Sequence, residues 1–292
     1  MSKLLKGAAV AESLAEATRD RARKLESNSV KPTLATVRVG ENPGDISYER
    51  SAGKKCADSG VAVRNVVLPA ECGQAEVLEV IESLNADPSV HGVLILRPLP
   101  KRFDGETIRN ALSPMKDVDG ITDASLAGML TGGGYGFVPC TARACVEILD
   151  FYGVSQEGKR VVVVGRSLVI GKPVALLLTD RNATVTICHT RTRDLPSVCR
   201  EAEILVAATG HAGMIGREHL SAGQTVIDVG INVTENGICG DVSSADAYEI
   251  TAACTPVPGG VGTVTSAVLA SHVVVAASHA YQATLKEAAL RG

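Results

Sequence analysis

The chain has 292 residues, 45% of them hydrophobic and 21% charged, with a net charge of -3, which is ordinary soluble composition with room for two modest domains. Lys and Arg are scattered and aromatics make up 3% with no Trp, so the chain lacks both a basic face for nucleic acid and a stacking platform for single strands. The cores must be built from Val, Ala, Leu and Ile, as in α/β layers.

Eight cysteines, none in a Cys-x-x-Cys pair, read as buried thiols of a reducing compartment. The start, MSKLLKGAAVAESL, is too polar for a signal peptide, so a cytoplasmic location is expected. No metal site is expected: His272 and His279 share a helix face but read as packing or a solvated edge.

In chain order, Ala8 to Ser27 is an amphipathic helix and Thr33 to Val39 a strand, with Gly40 to Gly44 as the loop at its carboxyl end. A second helix from about Asp45 carries Tyr48 and Cys56 and stops at Gly60. Val61 to Leu68 is a strand, Gln74 to Asn85 a helix, and Val93 to Leu96 a buried strand with a rigid exit at Pro98 and Pro100. Asp104 to Leu112 is a short helix, followed by a charged loop, Lys116 to Gly120, and a glycine-rich stretch at Gly132 to Gly136. This alternation predicts one α/β domain over 1–140 whose strand-end loops converge on one rim.

A linking helix from Thr141 to Phe151 opens the second half. Strands are expected at Val161 to Val164, Thr184 to Cys188, Ile204 to Ala207 and Thr225 to Val229, with small and polar residues at their exits. That is the layout of a doubly wound, Rossmann-like domain over 141–263. Cys254 to Gly262 is a stiff glycine-bracketed loop, read either as a backbone approach to a ligand or as a hinge. The helix after it, interrupted by Thr265, Ser266, Ser271, His272, Ser278 and His279, is expected to pack on the first domain over 264–292, with no membrane span.

The stretch GKRVVVVGRSLVIGKPVALLL, Gly158 to Leu178, is a buried strand, a small-residue turn and a helix from about Val174. Such a turn offers N–H groups and a helix dipole to a phosphate. The Gly165 to Gly171 spacing is not the ordinary dinucleotide fingerprint, and a turn that binds nothing is the competing reading. After the second strand of this half comes Cys188, His189, Thr190, Arg191, Thr192, Arg193, with no carboxylate for a ribose 2′-hydroxyl. Arg166, Arg191 and Arg193 with Thr190 suit a 2′-phosphate, so NADP is expected over NAD; a solvated charge cluster is the alternative.

The segments VGENPG (39–44) with Tyr48, PLP (98–100), KDVDG (116–120), VVGRS (163–167), GKP (171–173), TVTICH (184–189), DVG (228–230), GDV (240–242) and TPVPGGVG (255–262) occur in order over nearly the whole chain. Together they closely resemble the methylenetetrahydrofolate dehydrogenase and methenyltetrahydrofolate cyclohydrolase family. The resemblance implies an N-terminal folate-binding domain, a nucleotide-binding domain, a cleft between them, and a homodimer formed through the nucleotide domain. It implies hydride transfer from methylene-tetrahydrofolate to the cofactor, then attack of water on the methenyl cation. Substrate is expected at Tyr48, Leu96, Pro98, Leu99, Asp119, Pro258, Gly259 and Gly260. Cofactor is expected at Gly165, Arg166, Ser167, Gly171, Lys172, Pro173, His189, Thr190, Arg191, Thr209, Gly210, Gly230, Ile231 and Thr263.

Two positions depart from the family pattern. The family carries a Lys four residues after the Tyr and a Gln at the end of the third strand, and these are Ala52 and Leu96 here. Tyr48 and Asp119 are retained. Lys55, seven residues on, lies about 10 Å along the helix from Tyr48, and Arg97 is a poor proton shuttle, but these two are the candidate substitutes. The expected function is an NADP-dependent dehydrogenase with a weak or lost cyclohydrolase step. The alternatives are a fully bifunctional enzyme with a substitute base, a non-catalytic NADP- and folate-binding homologue, and a different dehydrogenase.

Overall fold

The computed structural model describes residues 2–235 and 237–291. In chain order the elements are β1 (Lys3–Leu4), α1 (Gly7–Glu26), β2 (Thr33–Val39), α2 (Pro43–Asp58), β3 (Ala62–Leu68), α3 (Gln74–Ala86), β4 (Gly92–Ile95), α4 (Gly105–Ala111), α5 (Asp123–Thr131) and α6 (Cys140–Phe151). There follow β5 (Arg160–Val164), α7 (Gly171–Thr179), β6 (Thr184–Cys188), α8 (Leu195–Arg200), β7 (Ile204–Ala207), β8 (Thr225–Asp228), β9 (Asn232–Thr234), β10 (Gly237–Cys239), α9 (Ser244–Ile250), β11 (Ala253–Cys254) and α10 (Val261–Arg291). They form two compact units, Ser13–Cys140 with Ser266–Gly292, and Met1–Glu12 with Thr141–Thr265.

The first unit is built on a three-stranded parallel sheet of order β3-β2-β4. Each parallel neighbour needs a crossover, and α2 and α3 supply them. Val37, Val39, Ile81, Val93, Ile95 and Ile108 pack into one core. Under α2 lies a polar exception. Glu49 accepts from Arg38 Nε at 3.0 Å and from Thr36 Oγ1 at 2.5 Å, and the pair is almost fully buried. Arg38 also donates to the Gly40 carbonyl.

The second unit holds a six-stranded sheet of order β1-β11-β8-β7-β5-β6, with every pairing parallel. Val161 to Val164 are all buried, as a run without polar alternation requires in a sheet covered on both faces. Two differences from the expected domain limits have a physical cause. Residues 3–4 belong to this sheet and not to the 1–140 domain, because Lys3 and Leu4 pair with Ala253 and Cys254. The expected 264–292 segment is one end of a continuous helix, α10, from Val261, and its residues from Ser266 on group with 13–140.

Other elements were not expected. Helix α5 starts where Thr122 Oγ1 caps the N–H of Ser125, between the charged loop and the glycine-rich stretch, where no element was expected. The β9–β10 hairpin and the two-residue strands β1 and β11 are too short for a periodic signal. Helix α7 begins at Gly171 rather than Val174, with Pro173 in its first turn, where a missing N–H costs nothing. Helix α10 is long and apolar enough to cross a membrane by length and composition, but 61% of its apolar window is buried within the protein.

Candidate active site

In the first unit, Asn42 Oδ1 accepts from the N–H groups of Gly44 (2.8 Å) and Asp45 (3.3 Å), with Pro43 in the first turn, and this fixes where α2 starts. Tyr48 then falls on the second turn with 40% of its surface exposed. Desolvation, then the proximity of Asp119, Cys140 and Cys56, raises its hydroxyl far above the usual tyrosine range, against the opposing charge of Arg97. One turn on, Ala52 is fully buried. Leu96 is also buried and its N–H continues the sheet to the Val37 carbonyl at 2.9 Å. Both positions are therefore apolar and closed.

Asp119 is delivered by a pinned loop. Asp117, fully buried, accepts from the N–H of Ile121 (3.0 Å), the N–H of Thr122 (2.8 Å) and Ser125 Oγ (2.7 Å). Lys116 Nζ donates to the carbonyls of Leu84 and Asp87. Gly120 sits at φ +67, and a Cβ there would lie 2.5 Å from the Val138 carbonyl carbon, so only glycine lets the chain turn at this point. Burial, then the charge of Asp117, pushes Asp119 up to about 6, and Arg97 and the Cys140 thiol pull the other way. Arg97 Nη2 stands 3.4 Å from Asp119 Oδ2.

Tyr48, Arg97 and Asp119 thus come together. Pro98 follows Arg97 across a cis peptide bond, and Leu99 packs against the core. Lys55 is exposed in the last turn of α2 and is not among the groups whose charge bears on Tyr48. Sequence reasoning missed Cys140 and His272. Cys140 Sγ donates to the Val118 carbonyl (3.2 Å) and lies 3.6 Å from His272 Nδ1, which itself donates to the same carbonyl at 2.9 Å. His272 also stacks at a tilt on Phe137, 5.1 Å between centroids. Burial and the Asp119 charge push the Cys140 thiol up, so it is a packed donor and no nucleophile. Only long-range folding joins these residues, and no local spacing announces it.

In the second unit the turn after β5 is shaped by two glycines. Gly165 has φ +134 and a Cβ there would lie 2.2 Å from the Ala208 carbonyl oxygen; a Cβ on Gly171 would lie 2.2 Å from the Gly165 oxygen. The turn closes through Ser167, whose Oγ accepts from the Ile170 N–H at 3.2 Å and whose carbonyl accepts from the Lys172 N–H at 3.1 Å. Ile170 offers α7 no side-chain cap, and with the Ile170 and Lys172 N–H groups paired to Ser167 and Pro173 carrying none, the Gly171 N–H is the first-turn donor left for an anion. After β6, His189 Nδ1 accepts from the Arg191 N–H (3.1 Å) and its N–H donates to Thr192 Oγ1 (2.9 Å). Arg166, Arg191 and Arg193 are exposed and have no ion-pair partner among the described residues. An uncapped helix start, a glycine cradle and three unpaired guanidinium groups fit a dinucleotide bearing an extra phosphate.

Thr209, Gly210, Gly230 and Ile231 occupy the exits of β7 and β8 in this unit. Pro258, Gly259 and Gly260 also belong to it, with the Gly259 carbonyl accepting from the Gly7 N–H at 2.8 Å and Gly260 from the Thr263 N–H at 3.1 Å. Among the described residues, no His, Cys, Asp and Glu group could hold a metal ion.

Comparison with known proteins gives a consistent result. Residues 5–119 match the family profile described as tetrahydrofolate dehydrogenase/cyclohydrolase, catalytic domain, and 139–281 match its NAD(P)-binding domain. The chain is 43% identical over 277 residues to the bifunctional protein FolD of Alkaliphilus oremlandii, covering 94% of this chain and 97% of that one. It is 44% identical over 279 residues to that of Carboxydothermus hydrogenoformans, with the same coverage. Among solved structures, the bifunctional FolD of Campylobacter jejuni superposes with TM-score 0.93 at 34% identity, covering 96% of this chain and 99% of that one. The Trypanosoma brucei FolD, solved with NADP and an inhibitor, superposes with TM-score 0.89 at 32% identity, covering 95% and 98%. With its two α/β units and the matched catalytic and NAD(P)-binding domains, the chain belongs to the tetrahydrofolate dehydrogenase/cyclohydrolase family.

Proposed function

We propose that this protein is an NADP-dependent 5,10-methylenetetrahydrofolate dehydrogenase whose cyclohydrolase step is weak or lost. The observation that carries it is the closed apolar pair Ala52 and Leu96 beside a retained Tyr48 and Asp119. Hydride transfer chiefly needs the two reactants to be placed, with little proton traffic. Asp119, ionised above pH 6, accepts from the pterin, and Tyr48 lies against the substrate. NADP, when bound, would take up the hydride; Gly165, Ser167, Gly171 and Lys172 would receive its phosphates beside Pro173, while Arg166, Arg191 and Thr190 would hold the 2′-phosphate. Hydrolysis of the methenyl product needs an activated water and a group that titrates near neutrality. Arg97 is the cation nearest Asp119 and does not release a proton at such pH, and Lys55 lies exposed.

The family resemblance of the sequence segments implies a homodimer formed through the nucleotide-binding domain, and the unpaired cysteines fit a reducing, cytoplasmic location. Separate assays test the activity. With methylene-tetrahydrofolate, reduction of NADP is expected to exceed that of NAD at equal concentration, and methenyl-tetrahydrofolate is expected to decay at the buffer rate. Decay well above that rate overturns the cyclohydrolase half; binding without reduction of NADP overturns the dehydrogenase half. Ala52→Lys with Leu96→Gln is expected to raise cyclohydrolase activity at least tenfold over parent. Ala52→Lys alone is expected to gain less, because its stem enters a closed apolar position.

A further inference from the structure

We propose that Asp241 is a positioning residue for the cofactor, a buried carboxylate that ties the loop after β7 to the start of β9. Its Oδ2 accepts from the N–H groups of Thr209 (2.6 Å) and Gly210 (2.9 Å), and its Oδ1 from Asn232 Nδ2 (2.9 Å). The same residue's N–H donates to Asp228 Oδ1 at 3.0 Å, which also accepts from Gly230 at 2.9 Å, and Asp228 Oδ2 accepts from Val242 at 3.0 Å. The Asp241 side chain therefore ties the loop after β7 to the β9 strand of the hairpin, and Asp228 beside it holds the loop after β8.

Both carboxylates are buried. Two acids so close would repel, and neither has a Lys or Arg partner among the described residues; six N–H donors, each costly to leave unpaired, make the arrangement stable. A second observation shows how tightly the chain is built around them. A Cβ on Gly230 would lie 2.2 Å from Asp241 Oδ1, and one on Gly240 would lie 1.8 Å from Asp228 Oδ2. The loops have no apolar packing of comparable reach: Gly210, Ile231 and Val233 are exposed. Without the Asp241 carboxylate, Thr209 and Gly210 lose their anchor while the β-strands on either side keep theirs.

The inference rests on the reading that Thr209, Gly210, Gly230 and Ile231 face the cofactor. Calorimetric titration of NADP into the full-length protein, with steady-state kinetics, tests it. Asp241→Ala is expected to weaken NADP at least tenfold and to leave the folate KM within twofold. Asp241→Asn keeps one acceptor for the two N–H groups and is expected to stay within threefold of parent, a rescue that a purely space-filling role would not need. A folded Asp241→Ala protein with NADP affinity within twofold of parent overturns the proposal. Should Asp241→Ala fail to fold, Asn232→Ala removes one arm alone. It is expected to weaken NADP about threefold, and unchanged affinity overturns the proposal. Arg191→Ala separates the two readings: unchanged NADP affinity in that variant means the cofactor face was misassigned and overturns both, whereas a weakened Arg191→Ala beside an unchanged Asp241→Ala overturns the positioning role alone.

Discussion

Asp119 sets a trade between stability and function that one substitution exposes. Its native pKa of about 6 stands above the ~3.9 of a free aspartate, so the folded state holds its proton longer than the unfolded state does. Between about pH 4 and 6 the native state therefore binds more protons, and this residue's contribution to stability falls as pH rises, reaching its full cost above 6. The shift corresponds to about 3 kcal/mol. Asp119→Asn is expected to gain about 1–2 kcal/mol over parent at pH 7.5 and nothing at pH 4, measured by urea unfolding at both. The same variant is expected to raise the folate KM at least tenfold at pH 7.5, because the anionic acceptor is gone. In the parent, folate affinity is expected to weaken as pH falls through about 6. A variant that is no more stable at pH 7.5 than parent would place the desolvation elsewhere.

At the scale of an element, α2 is the part of the structure on which the chemistry turns, and its hold on the sheet is ionic. Glu49 follows Tyr48 directly and is tied to Arg38 and Thr36 of β2. Breaking a buried pair by removing one partner costs about 3–5 kcal/mol because it strands the other charge, whereas replacing both with apolar groups is often neutral. Glu49→Val alone is expected to lose stability in that range and to raise the folate KM through movement of Tyr48. Arg38→Met with Glu49→Val is expected to recover most of the loss by urea unfolding. The sequence shows how much of this was legible. Strand β2 was read to its exact limits, since a run with Leu, Val and Val between turn signals leaves little choice. Helix α5 was missed because its start depends on Thr122 and Asp117 capping across a loop, and β1 because two residues form a strand only where β11 waits for them. Tyr48 and Asp119 were named from segments that a family shares, and Arg97 as a candidate substitute beside Leu96. Cys140 and His272 were given no role, and Asp241 only lay within the GDV segment, because their roles exist only after residues far apart in sequence are folded together.

Across the whole molecule, apolar side chains are buried around the two sheets and along the first part of α10, and the far end of α10 is exposed. From Gln282 through Leu290 every residue is exposed, with Leu290 at 87% and Leu285 at 51%. Tyr281 Oη donates to Asn28 Oδ1, just after α1, at 3.2 Å. The NAD(P)-binding family match also ends at 281. Helix whose residues are solvent-exposed contributes little burial, and a terminal turn frays at small cost. A chain ending at Thr284 is expected to unfold within about 0.5 kcal/mol of the full-length protein. It is also expected to reduce NADP with methylene-tetrahydrofolate at an unchanged rate. A loss of more than about 1 kcal/mol on this truncation would mean that residues 285–292 are buried against something, and a second copy of the chain would be the first partner to examine by measuring the oligomeric state of both forms.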